Sequence, residues 1–170
     1  MEKVYPNGFS DPIELLLAEN ESHKKFCDSI EVIADSLPGK VDKAKALKAA
    51  RVLKHELPMH HRLEETVLFP VLLKYAADED NMVEIVDRLK EEHAIDEGFS
   101  EELVEVLEIL GAGKAVENAN MVGYMLRGFF ESYRRHLVWE NNVVLSLARR
   151  RIPPKALREM AANFATLREN

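Results

Sequence analysis

The stretch HHRLEETVLFP at residues 60–70 and the stretch HLVWENNVVL at residues 136–145 each place a histidine four residues before a glutamate. Because an α-helix turns by about 100° per residue, positions four apart lie on one face, within about 6 Å of each other. Each stretch therefore directs an imidazole and a carboxylate to the same side of a helix. Two such pairs on facing helices could supply nitrogen ligands and bridging oxygen ligands to two cations.

The composition favours a helical protein with one hydrophobic core. The 170 residues fit a single domain, 1–170, and they include 46% hydrophobic and 31% charged residues with only 7 Gly and 7 Pro. Acidic residues exceed basic ones by 30 to 23, so the net charge of -7 gives no positive field that would attract nucleic acid.

The single cysteine, Cys27, has no partner for an internal disulfide and is expected to be an inert, packed thiol in a reducing compartment. The first residues lack the apolar stretch of a secretory signal, and no later window is apolar for the length of a membrane span. These observations predict a cytoplasmic protein without a membrane partner.

Capping and breaking residues divide the chain into an N-terminal arm, 1–10, four long helices and a short C-terminal helix within 153–170. Asp11 is the expected N-cap of the first helix and Pro12 its first residue. The sequence therefore predicts an all-α fold, an up-down-up-down four-helix bundle with a short tail helix. The expected helices run over about 12–36, 42–77, 82–110, 116–150 and 155–167.

Apolar spacing predicts which helix faces point inward. Leu47 belongs to the inward stripe of the second helix, and Val83, Phe99 and Ile109 belong to that of the third. Pro58 removes a backbone donor and predicts a kink just before His60. His60 and His136 are 76 residues apart, and the middles of the first and third helices have a similar separation, which suggests two related hairpins facing a shared centre.

Three separated elements carry a resemblance to a known family. They are HxxxEExxLFP at 60–70, the lone histidine of EEHAIDE at 91–97 and HxxxE in HLVWENNVV at 136–144. In this order they resemble the hemerythrin-like HHE cation-binding domains, and DPIELLLAEN at 11–20 resembles the opening of bacterial members. The resemblance implies a four-helix bundle with a non-haem di-iron centre, used variously for reversible dioxygen binding, oxygen or redox sensing, iron handling and nitrosative-stress repair.

The resemblance also assigns roles to five residues of this chain. It implies that His60, His93 and His136 are terminal imidazole ligands and that Glu64 and Glu140 are carboxylates able to bridge two metals. Independently of any family, imidazole with carboxylate suits iron, manganese or zinc, and bridging carboxylates favour two ions over one. Two iron ions are the first expectation, with zinc or manganese as alternatives.

The first helix departs from the family pattern. Asn20 stands where family members of this kind carry a histidine, and an amide oxygen is a weaker ligand than an imidazole. His23, three residues further along, is about 60° around the helix and is included among the candidate ligands. His61 could lie beside the ligands, contact solvent, or act as an edge ligand that compensates for Asn20. Glu97 could orient a ligand imidazole.

These residues favour a metal-binding protein that binds or senses a small diatomic ligand such as dioxygen, or handles iron. A nucleotide loop and a nucleophile motif are both absent from the sequence, so an enzyme is the less favoured reading. Two alternatives remain open: a di-iron oxidoreductase acting on peroxide or nitric oxide, and an interaction bundle whose metal site has decayed. A homodimer or a protein partner is compatible with either.

Overall fold

The computed structural model describes residues 11–169, and the predicted N-terminal arm, 1–10, lies outside them. The regular structure of the described residues is helical throughout, as the sequence predicts. It forms five helical stretches, which pack as a helical bundle. The first is α1, Pro12–Asp35, whose N-cap Asp11 accepts a hydrogen bond of 2.8 Å from the backbone N–H of Ile13. The predicted cap and the predicted first residue, Pro12, are thus confirmed.

The second stretch, 43–75, alternates between α-helical and wider π-helical turns. It consists of α2 (Lys43–Arg51), a π-helical segment (Val52–Glu56), α3 (Leu57–Leu63), a second π-helical segment (Glu64–Leu68) and α4 (Phe69–Tyr75).

The two π-helical segments come directly before prolines. In a regular α-helix the rings of Pro58 and Pro70 would collide with the carbonyl four residues earlier. The N–H of Leu57 instead donates to the carbonyl of Val52, five residues back, and that of Phe69 to the carbonyl of Glu64. The departure from α-helical geometry predicted from Pro58 therefore takes the form of a widened turn, and the helix continues through it.

The third stretch is α5, Met82–Gly111, and its buried face differs from the predicted one. Val83, Phe99 and Ile109 are exposed, as is Leu47 on α2. The inward face of α5 instead follows a spacing of three and four residues that includes three polar side chains: Met82, Val86, Leu89, His93, Asp96, Ser100, Leu103, Leu107 and Leu110. The prediction for Val83, Phe99 and Ile109 was wrong because apolar spacing alone did not count Asp96 and Ser100 as interior positions. On α2 the small residues Ala46 and Ala49 are buried in place of Leu47.

The fourth stretch consists of α6 (Ala119–Trp139), a π-helical segment (Glu140–Leu145) and α7 (Ser146–Arg151). The last is α8, Pro154–Glu169, which contacts α1, α3 and the π-helical segment at 64–68. Phe164 of α8 is fully buried, which contributes about 1.5–3 kcal/mol to its docking. Arg168, near the end of α8, pairs with Glu19 of α1.

Packing divides the interior into two apolar clusters with polar residues between them. α1 packs against α6 and α2 against α5, and each of the four long stretches passes from one cluster to the other. Along α5, for example, Leu89 belongs to one cluster and Leu103 to the other. The buried polar side chains lie between them and are here called the polar belt: Asn20, His23, His60, His61, Glu64, His93, Asp96, Ser100, His136 and Glu140.

Two further findings bear on the sequence predictions. Cys27 is a free cysteine that is fully buried in one apolar cluster, and burial raises the pKa of its thiol to about 12. A thiolate therefore scarcely forms at neutral pH, as expected for an inert thiol. Within residues 11–169, every helix is too short or too polar to cross a lipid bilayer.

Candidate metal centre

Three helical stretches bring histidines and glutamates together in the polar belt. His60 and Glu64 come from the stretch 43–75, His93 from α5, and His136 and Glu140 from the stretch 119–151. All five are buried, with at most 5% of the surface of any of these residues exposed. The π-helical segments at 64–68 and 140–145 begin at the two glutamates, so each carboxylate occupies a turn of altered register.

These side chains form two groups whose potential ligand atoms lie within 4.8 Å of one another. One group is Glu64, His93 and His136, and the other is His60, Glu64 and Glu140. Glu64 belongs to both. Its Oε1 lies 3.5 Å from Nε2 of His60, and its Oε2 lies 3.3 Å from Nε2 of His93. One carboxylate thus turns an oxygen to each group, which is the arrangement that a bridging ligand requires.

The polar atoms at this centre have no hydrogen-bond partner: Nε2 of His60, His61, His93 and His136, both side-chain oxygens of Glu64, and Oε2 of Glu140. The contacts of 3.3 to 3.5 Å bring imidazole and carboxylate close without hydrogen-bond geometry. Leaving one buried polar group unsatisfied costs about 1–3 kcal/mol. A cation between the side chains would satisfy several of them at once, so the residues fit a metal site.

The outer nitrogen of each of these four histidines donates to a carboxylate. Nδ1 of His60 donates to Glu19 at 2.8 Å, that of His93 to Glu65 at 2.8 Å, and that of His136 to Glu92 at 2.9 Å. Such bonds fix the tautomer with its lone pair on Nε2, hold the ring orientation and raise the basicity of a ligand imidazole. The Nε2 atoms of His60, His93 and His136 therefore point into the ligand groups, and that of His136 must lose a proton before it binds a cation.

Burial and neighbouring charges shift the pKa values of the centre in opposite directions. Burial, followed by the charge of His136, lowers the pKa of His93 to about 3. Burial also acts to lower the pKa of His136, but the carboxylates of Glu140 and Glu92 outweigh it and raise that pKa to about 9. Burial and then the charge of Glu140 raise the pKa of Glu64 well above its ordinary value. A cation that binds here must displace protons from His136 and Glu64.

We expect Glu92→Gln to weaken metal binding by roughly 10- to 100-fold, since the substitution removes the charge that orients and polarises His136. The measurement is a competition titration of the apoprotein against a chromophoric chelator. Glu91→Gln, at the exposed neighbouring position, is the matched control and should keep the wild-type affinity. Equal affinities for the two variants would contradict this role for Glu92.

Comparison with known proteins agrees with this geometry. A family model described as the hemerythrin HHE cation-binding domain matches residues 11–148. The chain belongs to the hemerythrin HHE cation-binding family. A protein of Haemophilus influenzae described as "Uncharacterized protein" is 23% identical over 177 residues, which cover 99% of this chain and 98% of the relative. No solved structure matches the chain.

In this hemerythrin-domain protein, five of the six predicted ligands lie in the two groups around Glu64. The sixth, His23, lies in neither. Its Nδ1 shares a hydrogen bond of 2.8 Å with the hydroxyl of Tyr133, and its ring meets His60 edge-on with centroids 4.8 Å apart. Ligation by His23 stays a prediction. In the hemerythrin-domain structure His23 lies beside the ligand His60 and hydrogen-bonds to Tyr133.

Asn20, the departure from the family pattern, contacts a carboxylate of the centre. Its Nδ2 donates to Oε1 of Glu140 at 2.7 Å and to Oδ1 of Asn141 at 2.8 Å. The amide group therefore holds Glu140 in place, and its own Oδ1 is buried without a partner.

Sequence reasoning missed three carboxylates that hold the imidazoles: Glu19, Glu65 and Glu92. The sequence does contain a signal for these carboxylates, because each is the immediate neighbour of a polar-belt residue. Glu19 precedes Asn20, Glu65 follows Glu64, and Glu92 precedes His93. Each carboxylate binds an imidazole from a different helical stretch, so the partners depend on how the helices pack. Glu97 also holds an imidazole, as the sequence suggested, and that imidazole is His61, with a contact of 3.1 Å.

Proposed function

We propose that this protein holds two iron ions between its helices and uses them to bind or sense a small diatomic ligand such as dioxygen. The observation that carries the proposal is the position of Glu64, fully buried, unpartnered and common to two groups of potential ligands. A carboxylate between two such groups is the feature that distinguishes a site for two ions from a site for one.

The donor set supports iron. Imidazole nitrogens and carboxylate oxygens suit iron, and they also suit manganese and zinc. Nε2 of His93 and His136 would hold one ion and Nε2 of His60 with Glu140 the other, with Glu64 between them. When bound, two iron ions supply redox activity and open coordination positions for an external ligand.

The chain's own residues give the centre a rigid and mostly apolar wall. The ring of Phe69 stacks on His93 with centroids 5.9 Å apart, and that of Tyr133 stacks on His136 at 5.7 Å. Apolar clusters above and below the polar belt keep bulk water from the ligand atoms.

A di-iron oxidoreductase acting on peroxide or nitric oxide is the second candidate. The observation that favours it is a surface cavity of about 310 Å³ that reaches His136 and is also lined by Arg88, Arg135 and Trp139. Such a cavity offers a reductant or a substrate an approach to one end of the centre. The preserved set of buried ligand atoms argues against an interaction bundle whose metal site has decayed.

Three finer points belong to the same proposal. We propose an up-down-up-down order for the four long stretches, supported by the packing of α1 on α6 and α2 on α5 and by the short connections between consecutive stretches. We also propose a cytoplasmic location, supported by the single buried cysteine. Third, we propose that, if the protein acts as a sensor, it passes its ligand state to a second copy of the chain or to another protein.

The decisive experiment is metal analysis with absorption spectroscopy of protein purified from iron-supplemented cells. We expect about two iron ions per chain and charge-transfer absorption that changes when a diatomic ligand is added. Protein that retains no iron and shows no such absorption would overturn the proposal. With a reductant present, stoichiometric consumption of the ligand indicates a binder, and repeated turnover indicates the oxidoreductase.

A further inference from the structure

His61 has the same environment as the three histidines of the two ligand groups, although it belongs to neither group. It is buried, with 1% of its surface exposed, and its Nε2 has no hydrogen-bond partner. Its Nδ1 donates to a carboxylate, Glu97, at 3.1 Å. His23 shares neither feature, since its Nδ1 contacts a phenol and its Nε2 is not among the buried unpartnered atoms.

Helix geometry explains how two adjacent histidines both serve one centre. With about 100° per residue, His61 lies about 100° around α3 from His60, and Glu64 lies about 40° from His60 on the same side. Glu64 is therefore flanked by the two imidazoles. Both imidazoles are buried in the polar belt.

The ring of His61 lies against that of His93. It stacks on His93 with centroids 3.9 Å apart and an angle of 5° between the planes, and its centroid is 6.4 Å from that of His136. His93 and His136 form one ligand group with Glu64. The other group contains a single imidazole, His60, and the amide of Asn20 adds no nitrogen ligand because it donates to Glu140.

We propose that His61 ligates, through Nε2, the ion held by Glu64, His93 and His136, so that α3 supplies the nitrogen donor that α1 lacks. This inference rests on the proposed metal centre. It makes the two ions unequal, with three imidazoles at one and one imidazole with two carboxylates at the other. A ligand imidazole commonly donates its outer N–H to a carboxylate, as Nδ1 of His61 does to Glu97.

The test uses Co²⁺ as the probe, because its unpaired electrons shift the proton resonances of the imidazoles that bind it. Nδ1–H protons held by carboxylates are protected from exchange and can be counted. We expect four strongly shifted Nδ1–H resonances in wild-type protein loaded with Co²⁺, three in His61→Gln and four in His23→Gln. The Co²⁺ affinity of one site should fall in His61→Gln by more than the roughly 10- to 100-fold that follows loss of a partner to a ligand.

The possible outcomes separate this inference from the proposed function. A wild-type count of three, or an unchanged count in His61→Gln, overturns ligation by His61 and leaves the metal centre intact. Wild-type protein that binds no Co²⁺ and shows no shifted resonance overturns the metal centre itself. Should His61→Gln fail to fold, the wild-type count decides, together with Glu97→Gln. That variant should keep four resonances and move one of them, which a His61 outside the coordination sphere would not do.

Discussion

Replacement of Glu64 by alanine is expected to abolish binding of both metal ions. Glu64 is the only residue common to the two ligand groups found among the described residues, and each of its oxygens faces a different imidazole. Removal of this carboxylate leaves only neutral imidazoles at one ion, His93 and His136 with His61 beside them, leaves His60 with Glu140 at the other, and removes the bridge. The metal content, measured by elemental analysis after reconstitution and desalting, should fall from about two ions per chain to none.

Glu140→Ala is the matched comparison, because Glu140 belongs to one group only. That variant should keep one ion at Glu64, His93 and His136. Both glutamates are fully buried at corresponding positions of a His/Glu pair, so the two variants remove similar side chains from similar surroundings. Retention of one ion by Glu64→Ala, or loss of both ions in Glu140→Ala alone, would contradict a bridging position for Glu64.

Removal of the metal is expected to lower the Tm of the wild-type protein by about 8–16 °C for each ion lost. An ion present at about 1,000 times its Kd stabilises the folded state by about 4 kcal/mol. For a domain of about 150–250 residues, each kcal/mol corresponds to about 2–4 °C in Tm. The measurement is a thermal melt by circular dichroism before and after chelation, with the chelator removed before the scan.

The Tm is expected to fall on metal removal because the centre contains buried polar atoms without hydrogen-bond partners. Without a cation, four imidazole nitrogens and three carboxylate oxygens stay buried without hydrogen bonds. Glu64→Ala provides the control, since its Tm should not respond to added metal. A wild-type Tm that is the same with and without metal would contradict a cation bound among these atoms.

Much of the site follows from spacing within single helices. The pairs His60/Glu64 and His136/Glu140 were found because positions four apart share a helix face, and His93 was found through the family resemblance. The structure brings all five together. Spacing within one helix does not determine which residue of a neighbouring helix is opposite. The pairings of His60 with Glu19 and of His136 with Glu92 therefore needed the packed structure.

The helix boundaries show the same limit. The first helix ends at Asp35 and the third at Gly111, each within a residue of the predicted end, because Pro and Gly mark the breaks. The fourth begins at Ala119, three residues later than predicted, where Asn118 provides the cap by accepting from the N–H of Met121. The π-helical segments at 52–56, 64–68 and 140–145 could not be predicted from the spacing of apolar residues, because each one changes the helix register for only about one turn.

The docking of the C-terminal helix sets a practical limit on how this protein can be shortened. The family model ends at residue 148, whereas Arg168 lies beyond it and pairs with Glu19, the carboxylate that orients His60. A fragment trimmed to the matched span would lose that guanidinium and would uncover the apolar surface on which Phe164 packs. The cation-binding unit of this chain therefore extends beyond the residues that the family model matches.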